Sequence, residues 1–560
     1  MADDSTRRGL EDSQEERPGD KQGMVAQGSA HPSAPVTTEL RGALSPSKLA
    51  QVPPESEGAS PGSKQASSAG PMGRVLAGWG PFKRWIRYRE FRRHEVEHLD
   101  FLQRRDREEN AEGRLPDNEH VQVPAIWVVE LYTPSTVAGL LEGITRLDWE
   151  HGRSRDESLT KWMGDVREGR QAGWTTLGLV SGPDDPLLMR ERTAPLPEGV
   201  RAALPVLMSI TPSVTALVVA FLMDDASAGL LDEPLRAHFS TCRDRLFRLW
   251  DVVRYVLRDR AVRLGHRIYS PDTARRIRVE SSMRELEGGC VNWVREHLPG
   301  AFARMASTPF PTAALLVTEG VPPLTGEASQ IRAFRALAID REYEAWESSE
   351  WPGARLVLPH SWDNEGSRLV FACRRRDAFP EESYYPDPTS NWTIAQRADD
   401  VVRGLLSRWS LTCLLDGYHE RISALRDRTA RDGGYRPVHD LKKLRSLART
   451  ALYDIAVCAQ EIEAFAQSDP EYRHDVLEMK YVENVRGERL DLVKHFRSSQ
   501  RLRAKQVQRE SALLQSTLST SNELSQTISN IRIQRLVVLL TIVSIGIALW
   551  AATLALKTAL

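Results

Sequence analysis

The chain has 560 residues, 41% of them hydrophobic, which is room for about three or four domains of ordinary size. Its 75 basic and 76 acidic residues leave a formal charge of −1, so no global field draws it to nucleic acid or anionic lipid. The five cysteines contain no CxxC pair and are odd in number, which argues against a disulfide framework and for reduced thiols in a cytosol.

Residues 1–78 hold no Phe, Trp, Tyr, Ile or Cys and are rich in Ser, Pro, Gly, Ala and Glu. They cannot bury enough apolar surface to offset the entropy of ordering, and they read as a disordered arm. Asp3 and Asp4 precede any apolar run, so no secretory signal is visible.

The character changes at Trp79. Over residues 79–112 the sequence predicts a helix in which Phe82, Trp85, Ile86, Tyr88 and Phe91 alternate with Lys83, Arg84, Arg87, Arg89, Arg92 and Arg93. Such a mixture suits the headgroup region of an anionic bilayer, and Lys83, Arg84, Trp85, Arg87 and Arg89 are the candidate membrane-surface residues. Nucleic acid would use the same residues on phosphates and stacked bases. The plainer alternative packs Trp85 and Ile86 on the domain and leaves the arginines in solvent.

The same helix carries His94-Glu95-Val96-Glu97-His98, a match to HExxH. Residues four apart share a helical face, so His94 and His98 could hold a zinc ion whose bound water Glu95 activates, with Glu119 or His120 as a third ligand. Glu97 inside the motif and Arg92 and Arg93 before it make a poor wall for a dry metal cleft. A solvated, charge-laced helix explains the string as well.

Residues 120–400 mix short β-branched runs with amphipathic segments. Strands are predicted at Val121 to Tyr132, Trp174 to Ser181, Val206 to Ile210, Val214 to Leu222, Ala313 to Thr318, Arg355 to Leu358 and Arg368 to Cys373. Helices are predicted at Ser135 to Trp149, a long one around Leu246, Leu249, Val253 and Val256, and one from Ser270-Pro271-Asp272, where an N-cap serine precedes a first-turn proline. Strands and helices do not alternate regularly, so the expected class is an α+β domain. The uncharged stretch Ala202 to Met223 is long enough to span a bilayer. Pro205 and Pro212 would break its helix, so two strands joined at Thr211-Pro212-Ser213 are expected instead. Cys290, with His297 seven residues on, would be about 10 Å from it along a helix, which suits a structural thiol rather than a nucleophile and base.

Beyond residue 400 the strands are expected to end and a helical stalk (401–535) to begin. Leu441, Leu444, Ala448, Leu452, Ile455, Ala459 and Ile462 repeat at three-and-four spacing, the pattern of a bundle or coiled-coil seam. Glu471 to Arg535 lacks proline and holds one glycine, Gly487; as a single helix it would be about 97 Å long. Leu536 to Leu556 is uncharged, spans about 32 Å as a helix, and reads as a transmembrane segment. Only four residues follow it, so insertion is expected after translation, with the body left in the cytoplasm as that of a tail-anchored protein.

This run from stalk into membrane helix, SNELSQTISNIRIQRLVVLLTIVSI (Ser521 to Ile545), resembles the CorA-type magnesium channel family. The resemblance implies an α+β cytosolic domain on long helices, a homo-oligomer formed through the stalk, and Mg2+ as the ion. The family's Gly-Met-Asn signature is absent, the chain reading Leu554-Ala555-Leu556-Lys557 there, and no second membrane helix follows. The expectation is therefore an α+β domain, a helical stalk and one transmembrane helix, forming a non-enzymatic scaffold or sensor on the bilayer. A divalent-cation transport subunit is the first alternative and a zinc hydrolase using His94, Glu95 and His98 the second.

Overall fold

The computed structural model describes residues 71–559 apart from 150–157, 184–191, 246–248, 259–265, 306–307, 360–366, 379–386, 432–437, 469, 474–478 and 483–489. Residues 1–70 of the predicted arm lie outside the described residues. The basic-aromatic helix, α1 (Pro71–Gly113), starts eight residues earlier than the composition suggests, so the arm does not extend to 78.

After α1 the chain enters a mixed sheet through β1 (Val121–Gln122) and β2 (Ala125–Tyr132). Pro124 lacks an N–H for the ladder and splits what the sequence presents as one strand. Both pieces still pair with the same neighbour. Then come α2 (Val137–Arg146), α3 (Leu159–Arg167), β3 (Gly173–Thr176), β4 (Val180–Ser181) and β5 (Arg192–Thr193). The uncharged stretch is a hairpin, β6 (Val200–Thr211) and β7 (Val214–Met223), turning at Pro212-Ser213 as its prolines dictate. Two short helices, α4 (Asp225–Ala228) and α5 (Asp232–Arg236), lead to an antiparallel ribbon, β8 (Cys242–Arg245) and β9 (His266–Tyr269), with α6 (Leu249–Arg258) between its strands in the chain.

The long α7 (Pro271–His297) begins as predicted, with the Ser270 hydroxyl accepting from Thr273 N. It is followed by α8 (Ala301–Arg304), β10 (Thr312–Thr318), β11 (Ala345–Glu347), β12 (Ala354–Val357) and β13 (Arg368–Arg374). Helix α9 (Asn391–Arg431) then leads to α10 (Val438–Ser468), β14 (Lys480–Tyr481) and α11 (Leu492–Ala559).

Hydrogen bonding orders the main sheet β14-β11-β12-β13-β10-β2-β7-β6-β4-β5, with β1 on β10 and β3 on β6. Most pairs are antiparallel, and β10 runs parallel to β13. Strand β2 is buried along its whole length because helices cover both of its faces, which is why its sequence runs apolar without alternation. On one face Trp127 donates its indole N–H to Asp399 of α9 at 2.8 Å. On the other, Glu130 caps α8 and the Tyr132 hydroxyl donates to Leu298 O at the end of α7. Trp293 of α7 stands edge-on to Phe221 of β7 at 5.7 Å and stacks on Trp149.

The body does not close at residue 400. Strand β14, inside the predicted stalk, pairs with edge strand β11 through Trp346↔Tyr481, and it interrupts the helix predicted from Glu471. Helix α11 starts only at Leu492, and Gly487 lies outside the described residues. The side chains of Leu441, Leu444 and Ala448 lie outside the described residues, while the second half of the predicted seam of α10 is buried, at Leu452, Ile455, Ala459 and Ile462. It meets a matching stripe on α11, where Leu492, Val493, Phe496, Gln500, Ala504, Val507, Ser511 and Leu514 are buried at steps of one, three and four residues.

Candidate membrane interface and its connection to the body

Beyond Leu514 the described side chains of α11 are exposed, and the helix continues without a break into its apolar end. Asn530–Ala555, 26 residues, is long and apolar enough to cross a membrane, and none of it is buried against the protein. The helix satisfies its own backbone polar groups, as a bilayer requires. Thr541 also donates its hydroxyl to Val537 O.

Two identical tripeptides connect this helical unit to the sheet. Thr133-Pro134-Ser135 follows β2 and Thr211-Pro212-Ser213 forms the β6–β7 turn. Each is held by one carboxylate of α10. Asp454 accepts from the Thr133 hydroxyl (2.7 Å), the Ser135 hydroxyl (3.0 Å) and Ser135 N (3.1 Å). Glu461, two helical turns on, accepts from the Thr211 hydroxyl (2.6 Å), the Ser213 hydroxyl (2.7 Å) and Ser213 N (2.8 Å). Arg167 joins the two loops by donating to Ser213 O and Tyr132 O, and burial pulls its guanidinium below its ordinary pKa. Sequence reading missed this pair of clamps. Its signal was the repeated Thr-Pro-Ser and two acids seven apart beside an apolar seam.

The predicted membrane-surface residues lie together on α1. Phe82 stacks on Trp85 at 6.2 Å, the Arg89 guanidinium sits over the Trp85 ring at 5.7 Å, and Arg84 Nε donates to Val256 O of α6 at 3.0 Å. Phe82, Trp85 and Ile86 are exposed at 52%, 45% and 36%, so Trp85 and Ile86 lie at the surface rather than in the core. Lys83, Arg87 and Arg89 are exposed with them.

His94 and His98 are exposed on the same helix, and His94 lies 3.7 Å from Glu97 rather than beside a third ligand. Glu119 is buried and accepts from the backbone N–H groups of Glu319, Gly320 and Val321, while His120 contacts Asp232 at 2.5 Å. Among the described residues no three His, Cys, Asp or Glu side chains gather into a metal site. Glu95 thus has no metal-ligand cluster beside it among the described residues.

Cys290 is buried, and burial raises its thiol well above the usual range; His297 stacks on Trp293 and contacts Trp293 O. Burial likewise pushes the thiols of Cys373 and Cys458 up to about 12. Cys242 is exposed. An open cleft of about 450 Å³ lies where β11, β12 and β14 meet, lined in part by Thr325, Ser348, Arg355 and Lys480. Arg355 already donates to Leu324 O and faces Glu347 and Glu342, so its charge is compensated.

No family model matches the chain, and no curated protein matches it.

Proposed function

We propose that this chain is a single-pass membrane protein whose α+β body acts as a non-enzymatic scaffold or sensor on the cytoplasmic face of a bilayer. The observation that carries the reading is α11: one helix whose first turns are part of the body's core and whose last turns are apolar and uncovered. A helix with one end in a packed core transmits displacement without a flexible joint. Through α10, Asp454 and Glu461 extend that connection to both loop ends of the central strands. The CorA-like arrangement remains part of the proposal as architecture, an assembly of copies around parallel helices. The span Leu536 to Leu556 carries no carboxylate or amide to hydrate a pore, which favours the scaffold over ion transport.

The test is alkaline extraction of membranes from cells expressing the full chain. The native protein is expected to stay in the pellet, and Leu540→Arg/Ile547→Arg to be released, because a charged side chain at the centre of a span costs about 3 kcal/mol by insertion scales. Orientation follows from Cys242, the exposed thiol. An impermeant maleimide is expected to label it only after the cells are permeabilised. Release of the native chain at high pH would end the proposal; labelling in intact cells would reverse the orientation.

A further inference from the structure

A further exposed apolar face lies on α6, between the two strands of the β8–β9 ribbon in the chain. Those strands pair from Cys242↔Tyr269 to Arg245↔His266. Along α6, Trp250 is 72% exposed, Val253 41% and Leu257 62%. Steps of three and four put these three on one helical face. An amphipathic helix normally turns such a face toward a core; this one turns it to solvent. Exposed Trp, Leu and Val at this spacing form the apolar side of an interfacial helix.

The described charge beside that face is one-sided. Residues 80–93 of α1 hold six basic residues, Lys83, Arg84, Arg87, Arg89, Arg92 and Arg93, against Glu90, in a chain whose total is −1. Hydrogen bonds bring the two segments together. Asp106 accepts from Thr241 N and Asn110 binds Phe239 at the foot of the ribbon, while Arg84 donates to Val256 O in α6. From Gln103, which donates to Thr241 O, to Arg84, which donates to Val256 O, is about 28 Å along α1, so one helix reaches both the foot of the ribbon and α6.

We propose that α6 and the adjoining part of α1 form a docking surface for anionic phospholipid, a second membrane contact made by the body itself. Charge complementarity selects this occupant: the six basic residues of α1 attract acidic headgroups, at about 1 kcal/mol for each one near the surface, while Trp250 and Leu257 enter the acyl boundary. Neither attraction needs α11 to insert. Binding at both points would hold the body against the membrane plane rather than leave it free about one anchor.

The experiment uses the full chain carrying Leu540→Arg/Ile547→Arg, so that its apolar span does not drive binding, and floats it with vesicles of phosphatidylcholine alone or mixed with phosphatidylglycerol. About tenfold more protein is expected on the anionic vesicles, with the excess lost at high salt. Adding Trp250→Ser/Leu257→Ser, two exposed positions outside the core, is expected to remove most of that excess; unchanged thermal unfolding of this variant shows that the fold is intact. Equal flotation with both vesicles would overturn the proposal, as would undiminished binding by the serine variant. If that variant instead lowers the oligomeric mass and leaves flotation alone, the face is covered by a second copy and the proposal fails. None of these outcomes depends on whether α11 inserts, so the two membrane readings fall separately.

Discussion

Glu130 carries a charge conflict in the middle of the fold. It is wholly buried on β2, and its carboxylate accepts from Leu131 N, Phe302 N and Ala303 N at 2.8–2.9 Å. Gly300 leaves room for it: a Cβ there would come within 2.6 Å of the Glu130 side chain. Burial raises the carboxyl pKa from 4.5 to about 7, against the pull of those backbone donors. The folded state thus prefers the protonated form, and the group's stabilisation is complete below pH 4.5 and lost as pH rises through 7. The loss is on the order of 3 kcal/mol, since each tenfold change in proton affinity is worth about 1.4 kcal/mol. Glutamine keeps the shape without the charge. Native protein is therefore expected to lose stability between pH 5 and pH 8, read as the urea midpoint, while Glu130→Gln holds its pH 5 value. Parallel pH profiles for the two chains would show that Glu130 does not titrate in this window.

Among the elements, α10 depends on two carboxylates where a helix on a sheet usually relies on its apolar stripe. Asp454 is 5% exposed and satisfies a threonine hydroxyl, a serine hydroxyl and a backbone N–H at once. Asp454→Ala leaves those donors without it and is expected to cost about 2–4 kcal/mol by chemical denaturation, as is Glu461→Ala. Because Arg167 joins the two loops, the double variant is expected to lose less than the sum of the singles; strict additivity would make the clamps independent. These contacts also mark the limit of sequence reading. Long β-branched strands such as β7, the proline-marked turn at Pro212 and the seam of α10 were legible because each is decided by local pattern. Strand β14 was not, since two residues, Lys480 and Tyr481, become a strand only by pairing with β11. The basic-aromatic character of α1 could be read directly. That α6 turns Trp250 and Leu257 outward could not, because an apolar stripe alone does not say whether a core will meet it.

At the scale of the whole molecule, the outer side of α11 is where we propose that copies meet. The inner side of α11 is used up by α9 and α10, but its outer side carries Leu502 and Leu513, 71% and 68% exposed. Eleven residues make about three turns, so both leucines lie on one line parallel to the helix axis. Bilayer insertion of Asn530–Ala555 would align the α11 helices of neighbouring copies and confine them to two dimensions, which raises their effective concentration without any new contact. Under that condition a thin apolar line becomes enough to pair parallel helices. The full chain in mild detergent is therefore expected to run as an oligomer by light scattering with detergent correction. Leu502→Glu/Leu513→Glu is expected to reduce it to monomer while leaving thermal unfolding of the body unchanged, since neither side chain belongs to the core. A native chain that is monomeric at every concentration would remove the CorA-like architecture and leave a single body on a single helix. An oligomer that survives both glutamates would place the contact elsewhere, in the membrane segment or on the body.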